Sequence, residues 1–73
     1  MKEFDYNWNG IIFLMTKYED EDFNEYPQWT DVEFAGEQGD IGKDGFLMVE
    51  DLTHKTQIEI REKAFDYYME GFK

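Results

Sequence analysis

His54 is the only histidine, and neither serine nor cysteine occurs in the 73 residues, so neither a Ser–His nor a Cys–His nucleophile can be assembled. Nothing favours threonine in that role, and His54 sits in a polar turn where it reads as a surface residue. Asp20-x-Asp22-x-Asn24 has the opening rhythm of a calcium loop, whose alternate oxygens converge on the ion. The rest of that pattern fails: Glu25 stands where the sharp turn needs glycine, Pro27 follows two positions later, and Asp31 replaces the closing bidentate glutamate. Gly42-Lys43 suggests a phosphate loop, but Asp44 replaces the Ser or Thr that would hold magnesium, and the surrounding acids repel phosphate. Carboxylate pairs at glycosidase-like separation arise by chance in so acidic a chain, and 73 residues cannot enclose a sugar around one. The expectation is a protein that is not an enzyme and uses no cofactor or metal.

The charge itself is informative. Eighteen acidic side chains face seven basic ones, a formal charge of -11 with a sequence pI near 4.2. Residues 1–18 balance to zero, whereas Glu19 to Asp44 holds ten acids against Lys43 alone and carries -9 of the total. Hydrophobic residues make up 41% of the chain and aromatic ones 19%, enough apolar area to offset chain entropy, so a folded domain over 1–73 is expected rather than an acidic disordered tail. The absence of cysteine fits a reducing cytoplasm and leaves stability to packing. The N-terminus is acidic within five residues and is no secretory signal; the longest uninterrupted apolar run, Ile11 to Met15, is far short of the roughly 20 residues a membrane span needs. Nucleic acid and anionic membrane both repel such a domain, so direct binding to either is not expected.

Periodicity supplies the elements that hold these charges. Asn9-Gly10 signals a tight hairpin turn between Phe4–Trp8, with Phe4, Tyr6 and Trp8 on one face, and Ile11–Met15, which reads as a central strand buried on both faces. Glu19 to Gln28 reads as an acidic loop. Trp29 to Phe34 alternates as a strand with Thr30, Val32 and Phe34 inward and Trp29, Asp31 and Glu33 sharing the other face. Gly36, Gly39, Gly42 and Gly45 punctuate a flexible loop, and Phe46–Glu50 and Thr56–Ile60 read as a further hairpin. From about Arg61 a stripe of Ala64, Phe65, Tyr68, Met69 and Phe72 predicts a helix whose apolar face covers the sheet, with Glu62, Asp66 and Glu70 on the solvated side. The fold class is α+β: a small antiparallel sheet of four to five strands with one C-terminal helix packed on it.

A folded anionic patch can occupy a basic nucleic-acid-binding groove, because such grooves draw affinity from exchanging counterions for phosphates. Strand residues two apart share a face at about 6.8 Å, close to the phosphate spacing of one DNA strand, and Asp31 and Glu33 have that separation. The candidate partner-binding residues are therefore Glu19, Asp20, Glu21, Asp22, Glu25, Asp31, Glu33, Glu37 and Asp40, with Tyr26 and Trp29 as aromatic anchors among them. In charge, size and lack of cysteine the chain resembles the small acidic inhibitors that viruses of bacteria use against nucleases, restriction systems, CRISPR effectors, repair glycosylases, nucleoid proteins or RNA polymerase. No shared motif carries that resemblance, so it assigns no residue roles. The expected partner is a basic nucleic-acid-binding protein, met in the cytoplasm (the host's, for a viral chain) by a monomer or homodimer. The alternative is an adaptor module that binds through its helix or a sheet edge and whose acidity serves solubility.

Overall fold

A computed structural model describes residues 2–18 and 28–71. The described chain forms β1 (Lys2–Trp8), β2 (Ile11–Lys17), β3 (Val32–Asp40), β4 (Phe46–Met48) and α1 (His54–Met69), with short 3-10 turns at Gln28–Asp31, Gly42–Asp44 and Val49–Asp51. The four strands make one antiparallel sheet in chain order, β1-β2-β3-β4, and α1 lies across one face. This is the predicted α+β class.

The first hairpin is closed by two residues with positive φ, Asn9 at 52° and Gly10 at 87°, the conformation a two-residue hairpin requires and Asn-Gly supplies at least cost. The Gly10 amide also donates to Asn7 Oδ1 at 2.8 Å. β2 is central but not buried on both faces. Phe13 and Met15 are fully buried toward α1, whereas Ile12 and Leu14 alternate outward and remain 43% and 37% exposed. An apolar run does not itself reveal how many layers cover it, and α1 covers one face of β2 here while Ile12 and Leu14 stay open on the other.

Three further expectations are corrected. Trp29–Asp31 is not strand but a 3-10 turn, and β3 begins at Val32. Gly36 and Gly39 are not loop; they lie within β3, and the turn is confined to Gly42–Asp44, with the Ile41 amide donating to the Gly45 carbonyl at 2.9 Å. Thr56–Ile60 is not a strand but the opening of α1. Thr53 caps that helix, its Oγ1 accepting from the Thr56 amide at 3.1 Å, and the Gln57 side chain ties it to the preceding turn through the Val49 and Leu52 carbonyls. β-branched residues are tolerated there because Ile60 and Ala64, four apart, both reach the core.

The core is Phe4, Phe13, Met15, Val32, Ile60 and Ala64. An aromatic cluster extends it: Tyr68 lies 5.3 Å and Tyr67 6.2 Å from Phe4, and Tyr67 lies 5.4 Å from Tyr6, while Phe13 meets Phe34 edge-on at 5.4 Å. The stripe of α1 that packs on the core is thus Ile60, Ala64, Phe65, Tyr67 and Tyr68; Met69, expected in it, is 62% exposed, and Phe72 lies outside the described residues. No described helix is long and apolar enough to cross a membrane.

Burial beneath α1 raises the Tyr6 phenol above its ordinary value of 10.0, and the nearby carboxylates Asp66 and Glu59 push it the same way. The unfolded chain therefore ionises Tyr6 first, so its contribution to stability is intact below about pH 10 and is lost as pH rises toward the folded value. Tyr6→Phe should flatten the fall in melting temperature above about pH 10, relative to wild type. An unchanged alkaline limb would show that Tyr6 is not responsible.

Candidate anionic face

Cross-strand register decides which acids share a surface. Phe4 pairs with Met15, and Met15 with Phe34, so these residues face α1. The residues between them face away. One row is Glu3–Thr16–Glu33, the next is Asp5–Leu14, and the next is Asn7–Ile12–Asp40–Phe46. With strands about 4.8 Å apart, Glu3 and Glu33 stand about 10 Å from one another across β2, while Glu3 and Asp5 lie about 6.8 Å apart along β1. Glu3, Asp5, Glu33 and Asp40 are all exposed. Among the described residues these rows contain no cation, because Lys17 belongs to the opposite face, where its Nζ lies 6.0 Å from the Tyr68 ring centre.

The spacing expected of Asp31 and Glu33 is therefore realised by Glu3 and Asp5 instead. Asp31 stands in the 3-10 turn with its carboxylate 4.0 Å from Lys17 Nζ. Glu33 leaves β3 on the outer side by register, but its carboxylate turns toward α1, with Oε1 3.8 Å from Arg61 and the side chain bordering Phe34 and Gln57. Asp40 anchors one corner and accepts from the Gly42 amide at 2.7 Å, which orients its carboxylate at the end of β3. Glu37 is exposed elsewhere, beside Glu50, Met48 and Gln57 at the junction of β3, β4 and α1.

Trp29 does not share a face with Asp31 and Glu33. The turn swings it onto α1, where it is half-buried, the Arg61 guanidinium sits 5.1 Å from its ring centre, and Glu62, Phe65 and Asp66 border it. Arg61 also fixes the backbone of this corner, its Nε donating to the Val32 carbonyl at 2.7 Å and an Nη to Thr30 at 3.3 Å. Trp29 is thus largely a packing residue rather than an anchor within the anionic face. Glu19, Asp20, Glu21, Asp22, Glu25 and Tyr26, and with them the calcium-like rhythm, lie outside the described residues. No group of three or more potential metal ligands occurs among the described residues.

Glu3 and Asp5 were missed because the charge of residues 1–18 sums to zero, and a sum over sequence says nothing about faces. The usable signal was the alternation itself: placing Phe4, Tyr6 and Trp8 inward necessarily puts Glu3, Asp5 and Asn7 outward.

Comparison with protein families, curated proteins and solved structures finds no match for this chain.

Proposed function

We propose that this chain is a non-catalytic inhibitor that imitates a nucleic-acid backbone and blocks a basic nucleic-acid-binding protein. The observation that supports the reading best is the outer sheet face, where Glu3, Asp5 and Asp40 stand exposed with no cation beside them among the described residues of that face. Carboxylates spaced at about 6.8 Å along a strand and about 10 Å across it offer a basic groove contacts at near-phosphate intervals. A rigid sheet presents them already ordered, so little side-chain and loop entropy is lost on binding. The net charge of -11 adds long-range attraction toward a basic partner. A reducing cytoplasm is the proposed setting, in keeping with the absence of cysteine.

The test uses proteins retained from a lysate on the immobilised chain and eluted at high salt. Each is loaded with a labelled duplex and titrated with the free protein. Displacement is expected, with apparent affinity falling at least about tenfold between about 50 and about 200 mM salt. E3Q/D5N/D40N should weaken displacement by about tenfold or more, each lost contact contributing roughly a kcal/mol. Retained proteins that bind no nucleic acid, or a duplex that stays bound at saturating inhibitor, would remove the reading. The adaptor alternative draws support from the exposed apolar residues of the same sheet, and weak salt dependence would favour it.

A further inference from the structure

The carboxylates of this face do not surround a polar surface. Ile12 and Leu14 of β2 run between Asp5 and Asp40, and Phe46 of β4 lies on the far side of Asp40; these three apolar residues are 43%, 37% and 62% exposed. With Asp5, Gln38 and Asp40 they line one shallow concavity on the face opposite α1. Scattered exposed apolar residues need no explanation, but these three are brought together by register, with Asp5 beside Leu14 and Asp40 between Ile12 and Phe46. We infer that this face is a docking site for a basic amphipathic α-helix of the partner, laid along β2 with its apolar stripe on Ile12 and Leu14.

Charge complementarity selects that occupant. The acids of β1 (Glu3, Asp5) and Asp40 of β3 stand on strands about 10 Å apart across β2, which is about the diameter of an α-helix with its side chains. Lysines or arginines flanking the apolar stripe would reach one acidic row on each side, while a helix of opposite patterning would meet carboxylates on both. A second copy of this chain is disfavoured on the same ground: apposing two such faces sets Asp5 and Asp40 of one molecule against acids of the other, with -11 on each chain. The inference deepens the backbone-mimic reading and rests on it for the kind of partner, since helices that enter the DNA major groove are basic and present one recognition face. It adds that affinity comes from apolar contact as well as from charge.

The probe is a helical peptide of about 18 residues, long enough to cross the sheet, carrying a leucine stripe flanked by lysines. The comparison peptides replace the leucines by glutamine or the lysines by glutamate. The leucine–lysine peptide is expected to bind and to shift the amide resonances of Ile12, Leu14 and Phe46 rather than those of α1. The glutamine–lysine peptide should bind at least about tenfold more weakly, and the leucine–glutamate peptide not measurably. I12T/L14T, which keeps strand propensity, should weaken leucine–lysine binding about tenfold. F46T, at a more exposed position, should weaken it severalfold and serves if the double variant fails to fold.

Equal binding of the glutamine–lysine peptide would overturn the docking site while leaving duplex displacement, and so the mimic reading, standing. Failure of duplex displacement with peptide binding intact would remove the mimic reading and keep the site. Resonance shifts confined to α1, or a dimer in sedimentation that dissolves in I12T/L14T, would also overturn the inference.

Discussion

Arg61→Ala is expected to lower unfolding stability by about 2–3 kcal/mol, a large share of what a domain of this size has to spare. The single side chain does four things at once. It donates to the carbonyls of Val32 and Thr30 at 2.7 and 3.3 Å, stands 3.8 Å from Glu33, and packs its guanidinium 5.1 Å from the Trp29 ring centre. Those contacts bind the entry to β3 onto α1, and removal would leave part-buried carbonyls without their charged donor. Arg61→Lys should recover little, because one ammonium cannot hold two carbonyls and lie flat on an indole together. Denaturant unfolding of both variants measures this, and a lysine variant as stable as wild type would show that charge alone matters at the site.

Gly39→Val should cost about 3 kcal/mol, although strand propensity alone would favour valine. Gly39 is not among the glycines with positive φ, so its backbone would accept a side chain. Space forbids it: a Cβ built there stands 2.6 Å from Ile11 Cγ2 and 2.6 Å from the Phe13 ring. Phe13 is fully buried and already wedged edge-on against Phe34, so it cannot retreat without opening the core. Gly39→Ala tests the same contact at about 1–3 kcal/mol, and thermal unfolding of the pair should rank wild type, alanine, valine in falling order. Valine at or above wild-type stability would mean that β3 can shift its register.

Gly39 also illustrates where sequence reading ran out. Glycine marks loops by conformational freedom and strand interiors by close approach, and the residue type is identical in both uses. Thr56–Ile60 failed for a related reason: five residues fit a period of two and a period of 3.6 almost equally well, and the hydroxyl cap at Thr53 was the discriminating signal. Trp29 to Asp31 alternates in sequence, yet the 3-10 turn is stabilised by Arg61, thirty or so positions away, which no local pattern encodes. By contrast the turn and pairing of the first hairpin, with Asn9-Gly10 between an alternating and an apolar segment, were legible because their determinants are adjacent, although the open outer side of β2 was not. The anionic face was half legible. Asp40 was anticipated and Glu3 and Asp5 joined it through pairing across β2, while the expected Glu33 turns its carboxylate to Arg61.

The strand order bears on how quickly the molecule reaches its native state. Every strand hydrogen-bonds to its neighbour in sequence, so the sheet can zip up in chain order, but its core closes only when α1 arrives, because Tyr67 and Tyr68 pack on Phe4 at the other end of the chain. The hairpins are therefore expected to form first, with the long loop closure that brings α1 onto β1 setting the pace of folding.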